Sequence, residues 1–161
     1  QAAAGTGRWS VDPSASAEGR VSEWAGVFRY LRATGRPVDL SSFDHIAFNA
    51  SGQGSIQIVL EKASLASSDQ YSYTIDLTAD VQGFSIPLSE FALRNGSKGL
   101  VADDLVLLSF YTYGPGTETP FSINLSDVQF SIGAATGLST DLETPRAFQL
   151  QAAYPNPFNP Q

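Results

Sequence analysis

From Trp24 onward, apolar and polar residues alternate in short segments that are separated by clusters of Gly, Ser and Pro. A period of two is typical of strands with one buried face, and turn signals about every ten residues are typical of a β-sandwich or barrel. We therefore expect an all-β fold, an antiparallel β-sandwich. The predicted strands cover residues 23–33, 43–51, 55–63, 70–77, 81–88, 104–114 and 120–132.

Two of these segments say more about the layout. Residues 104–114 ("DLVLLSFYTYG") are apolar on both faces, which predicts a central strand of the sandwich. The glycines of "GQG" (52–54) lie between two strand patterns and predict a hairpin turn. Helical structure is expected only as short turns near residues 89–93 and 63–67.

The composition along the chain predicts one folded domain between two less regular ends. Residues 1–19 are expected to hold an N-terminal tail and the first strand, and residues 20–133 to form the sandwich. The small-residue stretch 134–147 is typical of a flexible linker. The segment 148–161 carries prolines at 155, 157 and 160, which exclude a helix and disfavour a central strand.

Charge and residue content exclude several classes of function. Sixteen acidic residues against nine basic ones give a formal net charge of -7. Because an acidic surface repels nucleic acid and anionic membranes, we expect neutral or cationic partners and no nucleic acid. The absence of cysteine excludes disulfides and thiolate chemistry, and no apolar run is long enough for membrane insertion. The chain begins at Gln1 rather than Met, so we expect that a leader or a preceding domain has been removed.

The residues offer little for catalysis. His45 is the only histidine and follows Asp44, but adjacent residues of a strand point to opposite faces, so we expect no cooperation between them. The sequence holds no nucleophile elbow, zinc-protease helix or phosphate-binding loop. The carboxylates are scattered, whereas a glycosidase needs a close pair. We therefore expect no enzymatic activity.

Aromatic residues are abundant, with two Trp, six Tyr and ten Phe. Most Phe residues are expected in the core, whereas a tyrosine hydroxyl needs water or a polar partner, so paired tyrosines on one face suggest a half-wet surface. Aromatic faces beside amides and charged groups suit neutral sugars, although core packing explains the Tyr pairs equally well. The predicted carbohydrate-binding residues are Trp24, Arg29, Gln57, Tyr71, Tyr73, Tyr111 and Tyr113.

A structural calcium ion is a further hypothesis. Asp12 lies near the first strand and Asp127 in the last, and these strands can be neighbours in a sandwich. A carboxylate from each could then join backbone oxygens around the ion. The alternative is that both are solvated turn aspartates.

The C-terminal segment resembles a secretion signal. "ETPRAFQLQAAYPNPFNPQ" is similar to the start of the C-terminal sorting domain of type IX secretion cargo, with its linker, apolar F-x-L and "YPNPFNP". The likeness covers residues 143–160, and the remainder of such a domain is missing from this sequence. It implies export by the type IX secretion machinery and a secreted or cell-surface location.

A second resemblance covers residues 20–132. The segments "DLSSFDHIAF", "FSIPLSEF" and "SDVQF" occur in the order seen in jelly-roll modules of the galactose-binding-like group. The most similar patterns are family-eleven carbohydrate-binding modules and complex I intermediate-associated proteins. The resemblance implies a jelly-roll sandwich that binds sugar across a concave sheet, with calcium at the rim and Asp127 at the usual aspartate position of the last strand.

The functional hypothesis is thus a non-catalytic module that binds polysaccharide within a secreted, multidomain, polysaccharide-degrading protein. The alternative is a structural or adhesive extracellular subunit that forms oligomers through strand edges and tails.

Overall fold

A computed structural model describes residues 8–134 of the chain. The described residues form an antiparallel β-sandwich of jelly-roll type, as predicted, with one short 3₁₀ turn at Leu88–Glu90. No helix in this part of the chain is long and apolar enough to cross a bilayer. The strands are β1 (Arg8–Val21), β2 (Trp24–Tyr30), β3 (His45–Lys62), β4 (Tyr71–Leu77), β5 (Gln82–Pro87), β6 (Leu105–Tyr113) and β7 (Thr119–Ser131).

The strands form two sheets that share β3. Sheet A has the order β1-β7-β3-β5, and its part of β3 runs from His45 to Gln53. Sheet B has the order β4-β3-β6-β2, and its part of β3 runs from Gly54 to Lys62. The doubly apolar segment 104–114 is β6, which lies between β3 and β2, so the prediction of a central strand is confirmed.

The hairpin predicted at "GQG" is wrong, because β3 continues through it and passes from sheet A into sheet B. A Cβ on Gly52 would lie 2.0 Å from the backbone oxygen of Ser122, so only glycine permits this close approach of β7. Gly54 has a φ of 93°, which side-chain-bearing residues rarely adopt. The glycines therefore bend one long strand where the pattern suggested two strands and a turn.

The core lies between the sheets and follows the alternation of each strand. In β3, Ile56, Ile58 and Leu60 are fully buried, while the residues between them face outward. Sheet A contributes Phe48 and Phe130 from the other side. Burial of such side chains is the main stabilising contribution, about 1.5–3 kcal/mol each.

Candidate functional site

The outer face of sheet B, which points away from sheet A, is a candidate binding surface. Residues that pair directly across neighbouring strands share a face. Gln57 on β3 pairs with Tyr111 on β6, and Tyr111 pairs with Gly26 on β2. Trp24 pairs with Tyr113 one step further along. Trp24, Gln57, Tyr111 and Tyr113 therefore lie on one surface, opposite to the buried Ile58 and Phe110.

Two strands of this face carry a set of aromatic side chains, which we call the aromatic row. Trp24 and Tyr111 meet edge to face with ring centroids 5.7 Å apart, and Phe28 and Tyr30 do so at 6.2 Å. Trp24, Phe28 and Tyr113 each keep more than 60% of their surface exposed, which is unusual for large apolar side chains. The aromatic row consists of Trp24, Phe28, Tyr30, Tyr111 and Tyr113.

The absence of a side chain at Gly26 makes room for the Tyr111 ring of the aromatic row. A Cβ on Gly26 would lie 2.8 Å from Cδ1 of Tyr111 and 2.1 Å from the backbone oxygen of Phe110. The Tyr111 ring thus rests over the backbone of Gly26, beside Trp24. The Tyr111 ring is half-buried, and it contacts both Gly26 and Trp24.

Polar groups border the aromatic row on β3 and β4. The Tyr113 hydroxyl donates to Oε1 of Gln57 at 3.2 Å, and Nε2 of Gln57 donates to Oγ of Ser72 at 3.1 Å. Further along the same face, the Ser55 hydroxyl donates to the Asp76 carboxylate. The face therefore combines flat aromatic surface with hydroxyl, amide and carboxylate groups.

Two further groups on this face are sheltered from water. Ser109 pairs with Val59 and Phe28, is fully buried, and its Oγ has no hydrogen-bond partner among the described residues. Glu61 pairs with Leu107, and burial raises the pKa of its carboxyl. Part of this face is therefore shielded from water.

Three of the predicted binding residues lie elsewhere. Tyr71 and Tyr73 pair with the buried Leu60 and Ile58, so they face the core. The Tyr73 ring lies 5.8 Å from that of Phe91. The seven predicted residues thus do not form one surface, because β4 presents its tyrosine-bearing side inward.

Arg29 also departs from the outer face. It pairs with the buried Leu108 and lines an apolar cleft between the sheets together with Val11, Val27 and Leu125. Its neighbours Phe28 and Tyr30, which the sequence analysis assigned to no site, occupy the outer face instead. Phe28 and Tyr30 lie an even number of residues from Trp24, and this spacing indicated that all three share one face of the strand.

The expectation that Asp44 and His45 cannot interact is wrong. Nδ1 of His45 lies 2.7 Å from Oδ1 of Asp44, which also accepts a hydrogen bond from the Gly133 amide at 2.6 Å. Asp44 precedes β3, which begins at His45, so its side chain need not point to the face opposite that of His45. The hydrogen bonds from His45 and Gly133 lower the pKa of Asp44. The pair joins the start of β3 to the end of β7.

The predicted calcium residues lie close together along the sheet. β1 and β7 pair directly, and Asp12 is opposite Val128, the residue after Asp127. Asp127 sits at a bulge with a φ of 55°, and its Oδ2 accepts a hydrogen bond from Asn49 at 3.1 Å. The side chain of Asp12 lies outside the described residues. Among those described, no group of three acidic or histidine side chains gathers around a common point.

Comparison with solved structures finds the same fold in two carbohydrate-binding modules. A family 11 module from Clostridium thermocellum, solved with a β-1,3-1,4-mixed-linked tetrasaccharide, aligns with a TM-score of 0.53 at 18% identity, covering 80% of this chain and 88% of that one. A family 30 module aligns with a TM-score of 0.57 at 16% identity, over 81% of this chain and 77% of that one. These likenesses show the fold.

The same fold also occurs as part of larger enzymes. The agarase AgWH50C aligns with a TM-score of 0.56 at 11% identity, covering 85% of this chain and 24% of the agarase. No protein-family model and no curated protein matches the sequence. The "YPNPFNP" segment and the predicted linker lie outside the described residues, so export by type IX secretion stays a prediction.

Proposed function

We propose that this chain is a non-catalytic carbohydrate-binding module that holds a polysaccharide against the outer face of sheet B. The observation that carries the proposal is the aromatic row, which exposes three large rings on one face of a fold shared with sugar-binding modules. Covering the aromatic row with a ligand would remove its apolar surface from water, which is energetically favourable.

The arrangement suits the two-sided chemistry of a sugar. The C–H face of a pyranose ring packs on aromatic surface, while its hydroxyls exchange hydrogen bonds with amides and carboxylates. Trp24 and Tyr113 supply the flat surface, and Gln57 lies within 3.2 Å of the Tyr113 hydroxyl. Since Gln57 is already held by Ser72, little side-chain entropy is lost when it meets a ligand.

The wider setting belongs to the same proposal. The module would serve a secreted, multidomain, polysaccharide-degrading protein that leaves the cell by type IX secretion. Tethering a hydrolase to its substrate raises the local concentration and needs no chemistry from the module itself. Two agarases contain this fold over about a quarter of their length, which supports a place for such a fold within a larger enzyme.

Affinity electrophoresis through gels of β-glucan, xylan, mannan or starch tests the proposal. We expect at least one neutral polymer to retard the wild type, and Tyr113→Ala to reduce the retardation. Ile132→Ala is the matched control, because Ile132 is equally exposed but follows β7 of the other sheet. A folded monomer that no polymer retards would overturn the proposal.

The alternative is a structural or adhesive subunit, and one observation favours it. β2 is an edge strand whose only described strand pairing is with β6, and an edge strand can pair with a strand of another copy. In that case the purified protein would elute as a large assembly in size-exclusion chromatography, and a proline at Val27 would dissolve the assembly.

A further inference from the structure

A second surface feature lies beside the aromatic row. Residues of the loop after β2 (31–43) line an open cleft of about 750 Å³. Val38 and Leu40 form its buried floor, and both are anchored to the sheet, Val38 by its amide to Leu105 at 2.8 Å. Arg32 and Arg36 line the cleft and are exposed.

The arginines of the cleft stand apart from most cations of the domain. Arg20 pairs with Glu118, Lys98 pairs with Glu90, and Lys62 pairs with two aspartates. Arg32 and Arg36 have no ion-pair partner among the described residues. In a protein with a net charge of -7, two uncompensated guanidinium groups in one cleft form a local site for negative charge.

The acidic group of the cleft is already engaged. Oδ1 of Asp39 accepts hydrogen bonds from the Ser41 amide at 2.9 Å and the Ser41 hydroxyl at 2.6 Å. Asp39 forms no ion pair with Arg32 or Arg36, so the guanidinium donors remain available. Two positive charges against one negative charge leave the cleft cationic.

The cleft begins where the aromatic row ends. A Cβ on Gly35 would lie 3.9 Å from Cδ1 of Tyr30, so the Tyr30 ring is next to this glycine. Gly35 closes a tight turn by donating its amide to the carbonyl of Arg32 at 2.8 Å, and Arg36 follows directly. Tyr30, at the end of the aromatic row, is thus adjacent to the turn that joins Arg32 to Arg36.

We propose that the cleft formed by Arg32 and Arg36 binds the acidic substituent of an anionic polysaccharide, a carboxylate or a sulfate. This inference rests on the proposed function, since the aromatic row supplies the contacts to the sugar rings. Guanidinium groups bind planar and tetrahedral oxyanions through paired hydrogen bonds. Glu61 shares the row of Tyr30 on the outer face and lies two strands, about 10 Å, away from Tyr30. The proposed ligand class thus extends from neutral glycans to glycans that also carry acidic groups.

The test compares charged polymers with their neutral counterparts by titration calorimetry. Polygalacturonate against its methyl ester isolates the carboxylate, and carrageenan against desulfated carrageenan isolates the sulfate. We expect the wild type to bind at least one charged polymer about three- to tenfold more tightly than its neutral counterpart. The double variant Arg32→Gln/Arg36→Gln should lose that preference, and the difference between the two proteins should shrink in high salt.

Arg94→Gln is the matched control, because Arg94 is also exposed and has no ion-pair partner among the described residues. It should keep the preference for the charged polymer. If the wild type binds each charged polymer and its neutral form equally well, the proposed anion site is wrong. The proposal that the module binds sugar would be unaffected. Binding of neither form of either polymer would also overturn the anion site, whereas the proposed function is contradicted only if no polymer retards the protein in affinity electrophoresis.

Discussion

Replacing one aromatic residue on each side of sheet B separates binding from folding. Trp24 lies on the outer face with 63% of its surface exposed, whereas Tyr73 is half-buried against Phe91 and the core. Truncating each to alanine removes a large ring in both cases. We expect Trp24→Ala to weaken polysaccharide binding with little loss of stability, and Tyr73→Ala to do the reverse.

The magnitudes follow from burial. Little more than a third of Trp24 is buried, roughly 90 Å², which at about 25 cal/mol/Å² sets an upper limit of about 2 kcal/mol on its folding contribution. Tyr73 contacts Phe91 and pairs with the buried Ile58, so its truncation should cost about 2–4 kcal/mol, somewhat below a fully buried ring. Loss of the Trp24 contact to sugar should cost about 1–3 kcal/mol of binding free energy.

Two assays give the two answers. Urea unfolding followed by circular dichroism reports stability without relying on the tryptophan that is removed, and calorimetry with the polymer that retards the wild type reports affinity. Trp24→Phe keeps a ring and should bind with intermediate affinity. The reasoning would be refuted by a Tyr73→Ala protein that is fully stable but no longer binds, since its ring would then belong to the ligand surface.

Lys62 should stabilise the domain more than Lys98, because Lys62 is 10% exposed beside Asp103 and Asp104, whereas the Lys98–Glu90 pair is half exposed. Lys62→Met should cost about 2–3 kcal/mol and Lys98→Met less than about 1 kcal/mol in urea unfolding, and equal costs would contradict this ranking. Burial raises the pKa of Glu61, so its contribution to stability is fully present below the pKa of the unfolded chain and is lost as the pH rises through the folded value. Glu61→Gln should therefore match the wild type in acid and exceed its stability at neutral pH, and identical pH profiles would disprove the effect. Calcium binding stays a prediction: millimolar calcium should raise the unfolding temperature of the wild type over that in chelator but leave Asp127→Asn unchanged, and an unshifted wild type would argue against the ion.

The sequence predicted where the strands lie, but it did not predict that the segments 43–51 and 55–63 form one strand, β3. Period-2 alternation placed every strand from β2 to β7 within a few residues of its observed bounds. It could not show that β3 runs through Gly52 and Gly54, since the same glycines permit a turn or a bend. Only the close approach of Ser122, a residue of another strand, decides between them.

The candidate site was predicted only in part. In β4, Tyr71 and Tyr73 share a side with Ile75, opposite Ser72, Thr74 and Asp76, so the alternation already favoured a core-facing side for both tyrosines. The register of Tyr73 with the buried Ile58 confirms that side. On β2 the parity shared by Trp24, Phe28 and Tyr30 was visible, but Phe is usually a core residue.

The passage of β3 through both sheets has a consequence for how the domain unfolds. This strand pairs with β4, β5, β6 and β7, so neither sheet of the described domain retains its central pairings once β3 detaches. Most of its partners are distant in sequence, which favours slow, highly cooperative folding. Amides of Ile46 and Ile58, in different sheets, should then exchange with deuterium in a single global event. Gln57, on the β3 side of the candidate binding surface, should therefore open only with the whole domain, whereas the β2 side is held by β6 alone.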